Sequence, residues 1–591
     1  MKFKNLTAVD CEVYPNYFLA AFKSLEGKTF SLEARDGALS RKDIRRLQRV
    51  LCQHTTFGFN SRNYDIPIIL YAIKGATTAY IHKMSEYIIN ERSPGWMTMK
   101  KFDLYPSIHW QHFDIQEPAP GVMVGLKLYG ARMHSPRLQD LPIEPGTILT
   151  TAQMDDIKDY CENDLDTTID LFNAIRPQLD LRSEMSEQYG QDLMSKSDAQ
   201  IAEAVLKASK PDVKRPDISP NKRFRYNTPD FISFKTQQLQ DALNIIEEHR
   251  FELDGRGSIK LPDELKKMKI KLGAATYQMG IGGLHSTEKK QAIVPTSSQL
   301  LCDRDVASYY PAIILNLGLY PKQFGTRFLR TYGGIVEQRL EAKRSGDKVT
   351  ADALKITING SFGKLGSKYS ALYAPDLMMA VTLTGQLALL MLIERLEDAG
   401  VSVVSANTDG FVSLVEKEDY QTYDDICFDW ELDTGFDLEE TQYKALYSRD
   451  VNNYLAITED GSKGKGIFAA PGLMKNPVAG TCVDAAKAWV IEGTPINQTI
   501  ESCDDITKFI TVRRVTGGGV WRDQYLGKVV RWVYGKGGSP ITYKKNGNKV
   551  ATSDGAVPVM DRGAARVLDI DHGKYIEMTN DILKSIGVEN V

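Results

Sequence analysis

An aspartate closes an apolar, strand-like run in LLCDRDVASYYPAIILNLGLYP, residues 300–321. Packing gives no reason for a carboxylate there, because a charge taken out of water costs free energy unless it is paired or binds an ion. Asp305 therefore constrains the fold. Its strand must end at a pocket that uses negative charge, and Tyr309, Tyr310 and Pro311 must turn the chain directly behind it. A second acid-bearing turn, Asn407-Thr408-Asp409-Gly410, follows the β-rich VSVVSA and reads as a hairpin. Between the two lie helices predicted at about 332–345 and 349–364, joined at Ser345-Gly346-Asp347, and a long helix at 376–399.

A similar pattern opens the chain. Residues 6–13 and 17–23 read as strands joined at Tyr14-Pro15-Asn16, and Asp10 and Glu12 stand two apart on the first. Period-two geometry points both at one face. Adjacent carboxylates raise each other's pKa unless a cation sits between them. FGFNSRNYDIPII (57–69) sets Asn60 and Asp65 among apolar residues. IKDYCENDLDTTIDLF (157–172) lies in a helix predicted at 153–177 and has Tyr160 and Asp164 at i,i+4, on one helix face. Asp166, two positions on, points elsewhere. Four acids, Asp10, Glu12, Asp65 and Asp164, suit two hard divalent cations such as Mg²⁺. Such a pair can activate a water and stabilise the departing oxygen of a phosphodiester.

The chain has 591 residues, more than one core supports. Its net charge of −3 gives no global basic field, so nucleic-acid binding would rest on local clusters. The segment 511–549 carries nine Lys or Arg against a single acid, Asp523, with Trp521, Tyr525, Trp532, Tyr534 and Tyr543 interleaved. It also holds a hairpin signal at 541–552, turning at Asn546-Gly547. The seven cysteines are scattered without zinc-site or redox-pair spacing. The apolar run 378–393 is broken by Thr, Gly and Gln and reads as a buried helix, so no membrane is expected. The start of the chain has no apolar signal-like region.

The predicted helices at 332–345 and 349–364 present a comb of cations. Arg339 and Lys343 are i,i+4 on the first; Lys355 and Asn359 are i,i+4 on the second, with Phe362 and Gly363 one turn further. A helical hairpin would lay both faces over one pocket. Cations over a triphosphate stabilise charge where it develops.

These motifs carry two resemblances. Asp10-Cys11-Glu12, Asn60 to Asp65 and Tyr160 to Asp164 resemble, in order, the D-x-E, N-x(2–3)-(F/Y)-D and Y-x(3)-D motifs of DEDDy-type 3′–5′ proofreading exonucleases. DVASYYP resembles motif A (D-x-x-S-L-Y-P) of family B DNA polymerases, with Asp305, Ser308, Tyr310 and Pro311 matching and Tyr309 in place of Leu. KITINGSFG resembles motif B, with Lys355, Asn359 and Gly363 matching, Gly360 for Ser and Phe362 for Tyr. The Asn407–Gly410 turn resembles the D-T-D-S hairpin, with Asn407 in place of the first aspartate and Gly410 in place of the serine.

The resemblance implies a compact, phage-like family B DNA polymerase. The implied fold is multidomain α/β and α+β: an RNase H-like exonuclease domain plus a right-hand polymerase with an antiparallel palm sheet, helical fingers and a thumb. The expected boundaries are 1–180 for the exonuclease, 181–294 for a connecting region, 295–331 and 400–478 for the palm, 332–399 for the fingers and 479–591 for the thumb. The implied cofactor is Mg²⁺, two per active site, with Mn²⁺ able to substitute. Asp305, Asp409 and the Val306 carbonyl would hold one pair; Asp10, Glu12, Asp65 and Asp164 would hold the other, with Tyr160 orienting the water. Arg339, Lys343, Lys355, Asn359, Ser308 and Tyr310 would bind dNTP, Tyr310 beneath the sugar. Asn60, Phe362, Gly363 and Tyr454 would contact DNA. YQMGIGGLHS (277–286) sits where the family contacts template. Tyr454 fits a K-K-x-Y primer element whose lysines are missing, with Lys463 and Lys465 as substitutes. Expected partners are primer-template DNA, dNTPs and phage replication proteins such as a helicase and a single-strand-binding protein. A monomer is expected, in the cytoplasm of an infected bacterial host. The competing readings are an exonuclease whose polymerase half is inactive but binds DNA, as Asn407 suggests, and a non-catalytic scaffold.

Overall fold

The computed structural model describes residues 5–105, 109–121, 124–219, 221–470, 472–563 and 568–589. The chain is mixed α/β and forms two compact units. One comprises Met1–Ser197, Pro471–Ala485 and Thr494–Glu577; the other comprises Asp198–Ala470, Ala486–Gly493 and Met578–Val591.

The first unit is built on a five-stranded sheet: β1 (Thr7–Tyr14), β2 (Tyr17–Ser24), β3 (Thr29–Arg35), β4 (Thr56–Gly58) and β5 (His112–Asp114), in the order β3-β2-β1-β4-β5. β1, β2 and β3 run antiparallel, while β4 and β5 join β1 in parallel. Both faces are covered, and the alternation along β1 shows how. Val9, Cys11 and Val13 enter one apolar cluster with Leu47, Leu51 and Ile68. Ala8 and Tyr14 enter another with Ile157, Leu165 and Leu171 from the helix Thr151–Ala174. Asp10 and Glu12 fall on the face of Ala8 and Tyr14, so the pleat aims them at that helix.

The second unit centres on a seven-stranded sheet formed by β6 (Ile270–Leu272), β7 (Ala275–Met279), β8 (Leu284–Ser286), β10 (Gln299–Val306), β11 (Ser402–Asn407), β12 (Gly410–Glu416) and β13 (Leu438–Tyr443), in the order β13-β10-β12-β11-β8-β7-β6. A smaller sheet, β16-β15-β14-β9, is made of β9 (Gln291–Ile293), β14 (Ala445–Asp450), β15 (Asn453–Ile457) and β16 (Ser462–Lys465). The cation-bearing helices are Arg327–Ser345 and Lys348–Leu365. Gly346 at φ 75° ends the first, and the Asp347 side chain caps the second by accepting from Thr350 N. Helix Pro375–Asp398 is long and apolar enough to cross a membrane by length and composition, and it is mostly buried inside this unit. Trp430 donates to its Ala388 carbonyl at 2.9 Å.

The remaining sheet belongs to the first unit: β17 (Thr511–Trp521), β18 (Gln524–Tyr534), β19 (Thr542–Tyr543) and β20 (Ala556–Pro558), in the order β19-β17-β18-β20. The hairpin expected at 541–552 is reduced here. Gly547 N donates to the Tyr543 carbonyl, so the turn forms, but its arms meet only at a Thr542–Lys549 bridge. Along their other edge Thr542 and Tyr543 also pair with Val520 and Gly519 of β17, so the short strand joins that sheet while its return arm adds a single bridge.

Candidate active sites

The first unit gathers Asp10, Glu12, Asp65 and Asp164 into one cluster, with Asp65 and Asp164 buried and Asp10 and Glu12 partly exposed. Asp65 opens the helix Asp65–Ile73 and is 3% exposed. Its Oδ1 is buried with no hydrogen-bond partner. The carboxyls raise one another. Asp10 is pushed up to about 7, first by burial and then by the charge of Asp164. Glu12 is held well above its ordinary range by burial and then by Asp10 and Asp164. Asp65 is held up by burial and then by Asp10. Burial also raises Asp164, against which Lys127 works. Tyr160 is pushed far above an ordinary phenol by burial and then by Asp164, so it stays neutral. Asp166 is half exposed and pairs with Lys23 at 2.5 Å.

One cation answers these charges. Lys127, on the helix Leu126–Arg132, pairs with the Asp164 carboxylate, and its Nζ lies 4.1 Å from the centre of the Tyr160 ring. Sequence reasoning missed it, since no spacing links residue 127 to the acids. Asp114, also missed, shapes the turn that carries Asn60. Its carboxylate accepts from Asn60 N at 3.0 Å and Arg62 N at 2.9 Å, with Asn60 at φ 58°. The Asn60 side chain accepts from Asn63 Nδ2 at 3.0 Å. Ionised carboxylates cost several kcal/mol each to bury, even after relaxation. Four acids, of which Lys127 answers Asp10, Glu12 and Asp164, with an orphaned oxygen on Asp65, form a donor set that fits hard divalent cations.

In the second unit, Asp305 and Asp409 meet because β10 pairs with β12 and the Asn407–Gly410 hairpin folds against it. Asp305 pairs in register with Gly410, and Val306 N donates to the Asp409 carbonyl at 2.7 Å. The turn is tight. Thr408 is at φ 62° and its N donates to the Leu284 carbonyl at 2.7 Å. A Cβ at Gly410 would lie 2.0 Å from Asp305 Oδ1 and 2.9 Å from the Arg304 carbonyl, so a serine has no room here. Asn407 also has a local reason. Its Nδ2 donates to the Val451 carbonyl at 3.2 Å, which an aspartate could not do.

The two acids line a cavity of about 360 Å³ with Asp303, Asn407, Tyr454 and Lys463. Asp303 stands two before Asp305, so the pleat turns both the same way. It accepts from the Tyr443 hydroxyl and from Lys463 at 3.0 Å, and Lys463 also reaches Asp305 at 3.4 Å. The sequence displayed Asp303 beside Asp305, and the two-residue spacing alone was the signal. Arg304 points the other way and braces the strand through Glu440 at 2.7 Å and Asp424 at 2.5 Å. Asp409 is raised by burial and then by the charge of Asp305.

The other predicted residues divide. Tyr310 and Phe362 come together with ring centres 4.4 Å apart, and the Tyr310 hydroxyl donates to the Gly282 carbonyl. Burial raises Tyr310 to about 12. Tyr309 is a core residue, donating to the Gly385 carbonyl at 2.6 Å. Ser308 sits at φ 50° and accepts from Arg339 at 3.1 Å, while Arg339 Nε is buried without a partner. Lys343, Lys355, Asn359 and Gly363 are exposed, and none of them lines the cavity. Lys465 on β16 lies opposite Tyr454 of β15.

No protein-family model matches the chain. A curated match is DNA polymerase 1 of Aeropyrum pernix, 27% identical over 194 residues, covering 27% of this chain and 20% of that protein. The chain thus matches a fifth of the length of that relative. Among solved structures, the family B DNA polymerase of the hyperthermophilic archaeon Pyrobaculum calidifontis superposes with a TM-score of 0.40 at 14% identity, over 99% of this chain and 78% of that one. That superposition is too distant to bear on function.

Proposed function

We propose that this chain, which resembles family B DNA polymerases, is a template-directed DNA polymerase that extends a primer 3′-OH with dNTPs and proofreads through a 3′–5′ exonuclease site in its first unit. The observation that carries the reading is the meeting of Asp305 and Asp409 across β10 and β12, with the Val306–Asp409 backbone bond fixing their register.

Asp305 and Asp409 would hold divalent cations, Mg²⁺ or Mn²⁺, in the synthesis pocket. Such a pair, when bound, acidifies the attacking hydroxyl and stabilises charge on the phosphoryl group. The chain's own residues do the rest. Tyr310, steadied by Phe362 and the Gly282 carbonyl, offers its ring to the sugar of the incoming nucleotide. Arg339, anchored on Ser308, faces the triphosphate with Lys343, Lys355 and Asn359 from the helical hairpin. Tyr454, Lys463 and Lys465 bind the primer strand. In the first unit, Asp10, Glu12, Asp65 and Asp164 would hold the second pair of cations. Tyr160, kept neutral, orients the water as a hydrogen-bond donor, and Asn60 steadies the 3′ end. The close spacing of motifs A and B supports a compact replicative enzyme of phage type, acting with phage replication proteins in the cytoplasm of an infected bacterial host.

Primer extension with Mg²⁺ and dNTPs tests the reading. Asp409→Ala should abolish synthesis and spare 3′ degradation; Asp10→Ala with Glu12→Ala should do the reverse. A second reading, an exonuclease with an inactive DNA-binding polymerase part, draws on Asn407 standing where an aspartate is usual. Degradation by the wild type without any extension would select it.

A further inference from the structure

The cluster in the first unit contains a group that two-metal phosphodiester chemistry does not call for. Cys161 follows Tyr160 on the helix Thr151–Ala174 and is fully buried. Its thiol donates to Asp10 Oδ2 at 3.5 Å. One oxygen from Asp10, one from Glu12 and the Cys161 Sγ all lie within 4.8 Å of one another. Small side-chain shifts would close that spacing on a single ion. A fourth donor stands beside them: Asp65, 3% exposed, carries the unpartnered Oδ1 and is near enough to repel Asp10 and Glu12.

Ligand type ranks cations. Carboxylates alone favour Mg²⁺ and Mn²⁺, whereas one sulfur among them favours Zn²⁺ and its softer relatives. Zinc accepts this mixed set in a four-coordinate shell of sulfur and carboxylate oxygens. We infer that Asp10, Glu12, Asp65 and Cys161 form a site for a thiophilic divalent cation, which competes with the hard cations of the degradative reaction and so restrains degradation. On binding, the S–H bond of Cys161 breaks, a sulfur–metal bond forms and the proton leaves to solvent, with no change of oxidation state. Ligation by Asp10, Glu12 and Cys161 stands on the donor geometry, and Asp65 enters through its unpartnered, buried Oδ1. The effect on degradation rests on the exonuclease reading proposed above.

The test uses the full chain, stripped with a chelator and titrated with Cd²⁺. A sulfur-to-metal charge-transfer band should grow to one equivalent, persist in Cys11→Ser, and disappear in Cys161→Ser. X-ray absorption on the Zn²⁺-loaded wild type needs no variant and should find one sulfur in the shell. A shell of oxygen and nitrogen alone, or a band that survives Cys161→Ser, overturns the site. Zn²⁺ should slow 3′ degradation, and Cys161→Ser should weaken that inhibition by at least the roughly 10-fold that loss of a supporting partner costs a metal site. Equal inhibition of the two proteins also overturns it. If the band follows Cys161 but no 3′ end is degraded, the metal site stands and the exonuclease reading falls.

Discussion

Asp65 and Asp164 are 3% and 8% exposed, whereas the Asp305 side chain is 50% exposed. Lys127 stands against the acids of the first pocket, and Lys463 and Lys465 against those of the second. Water makes the difference between them. In the buried pocket, unanswered charge has no solvent to screen it, so repulsion becomes a stability problem that a bound cation relieves. In the second pocket, solvent screens Asp305, and the buried Asp303 is already answered by Lys463 and the Tyr443 hydroxyl, so a cation serves chemistry more than folding.

The widest separation should come from removing one charge in each pocket. Asp305→Asn should cut primer extension by on the order of 10³-fold while leaving the melting temperature unchanged. Asp65→Asn should abolish degradation and raise the melting temperature in chelator by a few degrees, since about 1 kcal/mol moves a domain of this size by roughly 2–4 °C. A destabilised Asp65→Asn protein would break the comparison. Lys127→Ala, measured by thermal unfolding in chelator, should cost up to about 3 kcal/mol, because it strands buried carboxylates, and added Mg²⁺ should restore most of it. An unchanged melting curve would show that Lys127 neutralises nothing.

The pH dependence follows from the sign of the shifts. Asp10 is raised from 3.8 to about 7, so the fold favours its protonated form. That stability is complete below pH 3.8 and is lost as pH rises through about 7. The melting temperature in chelator should therefore fall between pH 5 and pH 8, and Mg²⁺ should stabilise more at pH 8 than at pH 6. Equal stabilisation at both would remove Asp10 from the cation site. The smallest effect is expected of Lys463→Ala. Its side chain is 47% exposed, so stability should change by less than about 1 kcal/mol. Primer binding should weaken, with a shallower salt dependence in a filter or anisotropy assay.

Much of this was legible where it depends on local period. The two-residue step put Asp10 and Glu12 on one face, and the four-residue step put Tyr160 and Asp164 on another. Strand β10 and the helices around Gly346 lie close to where the patterns place them. What escaped depends on pairing across long separations. Lys127 reaches Asp164 from another helix, and Asp303 gains its meaning from Tyr443 and Lys463 on strands far along the chain. Cys161 carried no spacing signal, and only the fold set Asp10 beside it. The 541–552 hairpin forms in short form, and the pairing of Thr542 and Tyr543 with β17 was beyond local reading for the same reason.

The absence of a side chain at position 410 ties three residues into one steric unit. A serine at 410 by itself would push the Asp305 carboxylate aside, and an aspartate at 407 would forfeit the bond to Val451. Either change alone therefore disturbs the turn that carries Asp409. Any engineer grafting a standard hairpin into this protein must change the neighbours of Asp305 in the same step.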